Sequence, residues 1–147
     1  MRSPIPHTSF PHTPVPPVGG AGVSHREKEL PLPDAFCHDG SMYFIVVKFN
    51  VKPEYADSFP EKVAEFTEAT RAEPRNKWFD WSRSVDDPNQ YVLVEAFTDD
   101  GAAPHVNSEH FKKMTGEFPQ YLTSTPDIIS RQIDGDGWDK MGELQVD

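Results

Sequence analysis

A chain of 147 residues with 36% hydrophobic content can bury one core but not two, so a single folded domain is expected. Lysine and arginine number 14 against 24 acids, and the net charge of -10 argues against a nucleic-acid or anionic-membrane surface. The one cysteine, Cys37, excludes an internal disulfide and a cysteine metal motif; with no long apolar run and no signal-peptide pattern, a soluble cytoplasmic protein is expected.

Residues 1–40 hold eight of the fifteen prolines together with Gly19-Gly20-Ala21-Gly22, and show neither helical nor strand periodicity. That composition predicts a disordered extension rather than part of the fold. Its histidines, His7, His12, His25 and His38, are spaced too irregularly among prolines to suggest a metal site. The folded domain is expected over 41–135, with 136–147 as an acidic, glycine-containing tail that carries Trp138.

Met42 to Val51 reads as a strand that is apolar on both faces and must be covered on both. From Pro53, the residues Tyr55, Phe59, Val63, Phe66 and Thr70 recur at helical spacing with acids between them, which predicts an amphipathic helix ending before Pro74. Pro60 either sits in the first turn of a restarted helix, with Ser58 as cap, or marks a kink.

Residues 77–85 and 90–98 read as a hairpin around the turn residues Asp86-Asp87-Pro88-Asn89. In its second strand Tyr91, Leu93, Glu95 and Phe97 share one face; Val92, Val94, Ala96 and Thr98 share the other. The small face suits helix packing, so the bulky face with its single carboxylate is expected to be bare and to form a ligand cavity or an interface. A short helix through His105, a second capped by Ser108 with Phe111 and Met114 inward, and a last strand over 126–133 complete the order β-α-β-β-α-β. This is the ferredoxin-like arrangement: an α+β domain with a four-stranded antiparallel sheet and both helices on one face. A bare apolar face calls for a second copy, hence a homodimer.

Three stretches, Thr70-Arg71-Ala72-Glu73-Pro74, Tyr91-Val-Leu-Val-Glu95-Ala-Phe97 and His105-Val-Asn-Ser108-Glu-His-Phe111, resemble the antibiotic biosynthesis monooxygenase family, a dimeric α+β barrel, and its quinol monooxygenase members in particular. The resemblance runs over about residues 42–133. One departure is Arg75, where many relatives have glycine; Asn76 is the candidate to take the unusual backbone angles there.

The resemblance implies a cofactor-independent monooxygenase that oxidises a quinol or polycyclic phenol with dioxygen, and needs neither cofactor nor metal. The alternative on the same scaffold is a non-catalytic or isomerase-type small-molecule binder. Such an oxygenase must hold a flat ring in a dry pocket, remove a proton and stabilise an oxyanion. His105 is the first candidate base and His110 the second; lining a cavity, His105 should matter to turnover and little to stability. Glu95, alone in an apolar strand, needs a partner. It orients His105, binds substrate, or pairs with Arg83 across the hairpin. Arg83 and Asn76 are candidate oxyanion donors. Trp78, Trp81, Tyr91 and Phe97 are candidate pocket walls, although Trp78 and Trp81 point to opposite sides of a strand, so at most one touches substrate. His105 and His110 are five apart, not the i, i+4 of a helical metal pair, so no zinc or iron is expected. Haem is not expected either: Met114-Thr115 stands where haem-degrading relatives place an axial histidine, and Phe97 where they have tryptophan.

Overall fold

The computed structural model describes residues 40–147; the expected Pro- and Gly-rich extension, with its histidines, falls outside the described residues. Four strands, β1 (Ser41–Asn50), β2 (Asn76–Arg83), β3 (Gln90–Thr98) and β4 (Asp127–Asp134), form one sheet in the order β2-β3-β1-β4. Every neighbouring pair is antiparallel. Between them lie α1 (Phe59–Arg71), α2 (Ala102–Val106) and α3 (Glu109–Glu117), with single 3-10 turns at Pro53–Tyr55 and Phe118–Tyr121. The ferredoxin-like α+β fold expected from the element order is the one observed.

Pro60 falls at the start of α1, where a missing N–H costs nothing, so the helix restarts there rather than kinking. The Ser58 hydroxyl does not cap it and instead donates to the Tyr55 carbonyl. The hairpin turn closes through side chains: the Ser84 hydroxyl accepts from the backbone of Asp86 and Asp87, and Asp87 Oδ1 accepts from Asn89 N–H at 2.9 Å. At the entrance to β2 a register shift falls between Asn76 and Trp78. Asn76 spans it by donating its amide to the carbonyls of Trp78 and Ala96, and among the described residues only glycines have positive φ, so the expected left-handed Asn76 is not found.

The expectation for the two sheet faces is reversed. Residues paired across an antiparallel sheet point the same way, and the register aligns Phe49, Val47 and Ile45 of β1 with Tyr91, Leu93 and Glu95 of β3. Apart from Glu95, these positions are buried in one apolar cluster with Phe59, Val63 and Phe66 of α1, and with Phe118. The helical layer is itself aromatic, so it interlocks with large side chains rather than with a small β-branched surface. Phe59 meets Tyr91 at 4.9 Å and Phe66 meets Phe79 at 5.5 Å between ring centres. The other face, carrying Phe44, Val46, Trp78, Val92 and Val94, has no helix over it in the described chain and its residues are half-buried. β4 is exposed along its whole length.

Candidate functional site

Under α2 and α3, against the core face of the sheet, lies an apolar cavity of about 300 Å³. Carbon dominates its wall, which includes Val47, Phe66, Leu93, Phe111, Met114, Phe118 and Ile128, and its two ionisable lining residues are Glu95 and His105. A second cavity of about 290 Å³, lined by Tyr43, Ile45, Phe97 and Ala102 among others, shares Glu95, His105, Phe111 and Ile128 with the first. The two groups that can exchange protons therefore stand at the junction of two apolar chambers.

Glu95 is in the middle of β3, opposite Ile45 and Phe79, and is 6% exposed. Its Oε2 has no hydrogen-bond partner among the described residues. Burial, and secondarily the charge of Glu73, pushes its pKa from 4.5 to about 8. It is a carboxylic acid at neutral pH, able to donate a hydrogen bond where a carboxylate could only accept one.

His105 is held on three sides. Its Nδ1 lies 2.8 Å from Glu73 Oε1, its ring stacks at 4.6 Å on Phe97, and Phe111 meets it edge-on at 5.1 Å. Burial holds its pKa below the usual histidine value, against the opposing pull of Glu73. His110 Nε2 reaches the same Glu73 oxygen at 2.5 Å, so one carboxylate oxygen serves two imidazoles. Neither Glu73 nor His110 lines either cavity.

Local sequence explains the convergence. Gly101 opens α2 so close to the α1–β2 turn that a Cβ there would lie 2.7 Å from Arg75 Cβ and 3.1 Å from Phe97 Cβ. Only glycine lets α2 approach Glu73. Ser108 then caps α3 by accepting from Phe111 N–H, while its hydroxyl donates to the His105 carbonyl at 2.6 Å, which joins the two short helices. Gly101→Ala should cost roughly 1–3 kcal/mol, since backbone and not a flexible side-chain end must yield. Chemical denaturation checks this; an unchanged midpoint would mean the approach is looser than the geometry implies.

The sequence pattern of the antibiotic biosynthesis monooxygenases matches residues 42–116, about half of the chain and the part that contains Glu73, Glu95, His105 and His110. The chain belongs to the antibiotic biosynthesis monooxygenase family. YcnE of Bacillus subtilis (strain 168), a protein named as a monooxygenase, is 24% identical over 93 residues, which is 63% of this chain and 98% of YcnE. A solved structure from Nitrosomonas europaea, named for the same family, is 28% identical with a TM-score of 0.58, covering 62% of this chain and 88% of its own. A conserved protein from Methanosarcina mazei Go1 has the same TM-score at 21% identity (61% and 90% covered), a likeness of fold alone.

Within this family member the sequence-derived candidates are dispersed. Glu95 and His105 come together at the cavities. Arg83 does not reach Glu95: its guanidinium pairs with Asp57 at 2.9 Å, donates to the Pro88 carbonyl and lies over the Tyr91 ring. Tyr91 faces the far end of the core, where its hydroxyl donates to the Ala56 carbonyl at 2.8 Å. Trp81 is a core residue with its indole N–H on Thr67, and Trp78 is on the opposite face, 5.3 Å from Trp138. Asn76 is engaged in the β2 bulge. Phe97 has no exposure and contributes the stack under His105. The orienting carboxylate is Glu73 and not Glu95. His105 and His110 are not an i, i+4 pair on one helix, yet the chain breaks between α2 and α3 and both rings turn to Glu73. Glu73 lies in the Thr70–Pro74 stretch that carries the family likeness, and the only sequence signal for its role is a carboxylate at a helix end with two histidines downstream.

Among the described residues no helix is long and apolar enough to cross a membrane.

Proposed function

We propose that this protein is a cofactor-independent monooxygenase that oxidises a quinol or polycyclic phenol with dioxygen. The observation that carries the reading is that a buried Glu95, its Oε2 without a partner among the described residues, and His105 both line each of the two apolar chambers. Membership of a monooxygenase family supports the reaction class. An apolar wall suits a flat hydrophobic ring, and its described residues include no lysine or arginine to receive a phosphorylated ligand. Glu73 accepting from His105 Nδ1–H leaves Nε2 as the ring's proton acceptor. His105 takes the phenolic proton, and the neutral Glu95 acid hydrogen-bonds the oxyanion, the division of labour permitted by a carboxyl whose pKa is raised and an imidazole whose pKa is lowered. The electron-rich substrate then reduces dioxygen itself: one oxygen atom enters the product, the other leaves as water, and all four electrons come from the substrate.

The test is oxygen uptake by metal-free protein supplied with menadiol under ¹⁸O₂. One labelled atom per hydroxyquinone, without hydrogen peroxide, is expected. Menadione and peroxide formed at the uncatalysed rate, here and across a panel of hydroquinones and anthrones, would favour the non-catalytic or isomerase reading.

The reading includes a homodimer. Exposed Ile129 (61%) and Ile133 (37%) continue the apolar sheet face of Phe44, Val46 and Val94, which is the kind of surface a second copy covers. Light scattering on the eluting protein should give twice the chain mass, and Ile129→Lys with Ile133→Lys the single mass. A wild-type monomer at micromolar concentration would remove the dimer from the proposal.

A further inference from the structure

Glu73, His105 and His110 offer one carboxylate oxygen and two imidazole nitrogens, all within 4.8 Å of one another. We propose that this cluster is a site for a borderline divalent cation of the zinc and cobalt class, and that the cation switches the neighbouring cavity off. Two imidazole nitrogens with one carboxylate oxygen form a donor set that zinc takes readily, with a fourth position left for water. The ligands come from three separate pieces of chain, the α1–β2 turn, α2 and α3, and converge before any ion arrives. A tetrahedral ion with bonds of about 2.0–2.1 Å needs its ligands roughly 3.3 Å apart. The existing separations of 2.8 and 2.5 Å to Glu73 Oε1 must therefore open by under an ångström, and the two imidazole nitrogens, within 4.8 Å of each other, must come to the same spacing. The carboxylate and His110 can provide this, since both keep some exposure, whereas His105 is fixed by the Phe97 stack. The charge also fits: a carboxylate oxygen facing two imidazole nitrogens, in a protein of net charge -10, is a place for a cation.

The switching follows from where the proton must go. In the hydrogen-bonded cluster His105 carries its proton on Nδ1, towards Glu73, and Nε2 keeps its lone pair. An ion takes the Nδ1 lone pair, so the neutral ring must carry its proton on Nε2 and can only donate there. No proton is gained or lost by the ring; it changes position, and base competence goes with it. The ion lies behind the imidazole and outside both chambers, because neither Glu73 nor His110 lines them. The inhibition arm rests on the proposed oxygenase reading; the binding arm does not.

The experiment uses the full chain, in the wild-type form and as His110→Asn and Glu73→Gln, with far-UV circular dichroism as the folding check. Cobalt(II) titration of the wild type should give a visible tetrahedral spectrum saturating at one ion per chain, zinc should displace it, and both ions should raise the melting temperature. Each variant should lose the spectrum and the shift; His110 is partly exposed, so His110→Asn is the variant expected to fold. Menadiol turnover of the wild type should fall at least tenfold when one zinc equivalent is bound, while turnover of His110→Asn no longer responds to zinc. Binding that survives in a folded His110→Asn protein, as it would if the histidines of the N-terminal extension or surface acids held the ion, overturns the site. Binding with full turnover overturns the switch. Binding in a protein that oxidises no quinol leaves the site standing and removes the oxygenase reading.

Discussion

Glu95→Leu should lose oxygenase turnover by about a hundredfold or more, the usual cost of removing one donor from an oxyanion site, while Glu95→Gln should stay within about tenfold of wild type at pH 7. The two differ because an amide N–H can replace the acid O–H towards an oxyanion and a methyl group cannot. The pH profile separates this role from that of a base. Glu95 has a pKa of about 8, so the wild type should lose turnover as pH rises through 8 and the donor becomes a carboxylate that repels the phenolate. Glu95→Gln has nothing to ionise there and should keep its rate to pH 9. Initial rates of labelled-oxygen incorporation, corrected for uncatalysed oxidation at each pH, read the difference. A wild-type rate that climbs through pH 8 would make Glu95 the base.

The same carboxyl sets a stability profile that needs no substrate. An acid whose pKa is 4.5 unfolded and about 8 folded holds its proton longer in the folded state, so the folded chain binds more protons between those limits. Stability is then full below pH 4.5, falls as pH rises through the window and levels off above 8. The total loss is on the order of 4–5 kcal/mol, with no discount for solvent because the group is buried. Glu95→Leu should abolish the slope and melt above wild type at pH 9. Calorimetry across pH 5–9 that gives parallel curves for the two proteins would mean Glu95 has a partner in solution.

How much of this was legible in the sequence depended on whether a signal was local. Alternation along Tyr91–Phe97, the turn residues at Asp86–Asn89 and the apolar recurrence from Phe59 to Thr70 each encode their own element, and the elements in order give the fold. Which face of β3 the helices cover is not a local property. It depends on the volume of Phe59, Phe66 and Phe118, brought in from elsewhere, and judging the strand alone chose the wrong face. Glu95 was identifiable because a carboxylate in an apolar strand is anomalous wherever it points. Its lack of a partner was not, since Arg83 stands within reach on paper and is drawn away by Asp57. Glu73 was missed for the same reason: its value comes from Gly101, which admits α2, and from the break before Ser108, which lets His110 turn back.

His105→Ala should melt at least roughly 10 °C below wild type, contrary to the expectation from sequence that a cavity-lining base contributes little to stability. The ring is 3% exposed and packed between Phe97 and Phe111, so its removal leaves a void beside two existing chambers and deprives Glu73 of one of its two donors. About 2–4 kcal/mol is a fair expectation for such a site, and in a folded unit of about a hundred residues each kcal/mol moves the melting point by several degrees. Loss of turnover in this variant therefore cannot by itself identify a base, because the loss of packing would also disturb Glu95. Added imidazole resolves the ambiguity: a void joined to the chambers can admit it, and a diffusible ring can replace the missing proton acceptor. Millimolar imidazole should restore turnover of His105→Ala by tenfold or more, measured per folded molecule well below the melting point. Benzene is of similar size and cannot accept a proton, so it should raise the melting point without restoring the rate. Rescue by benzene as effective as rescue by imidazole would make His105 a packing residue and remove it from the chemistry.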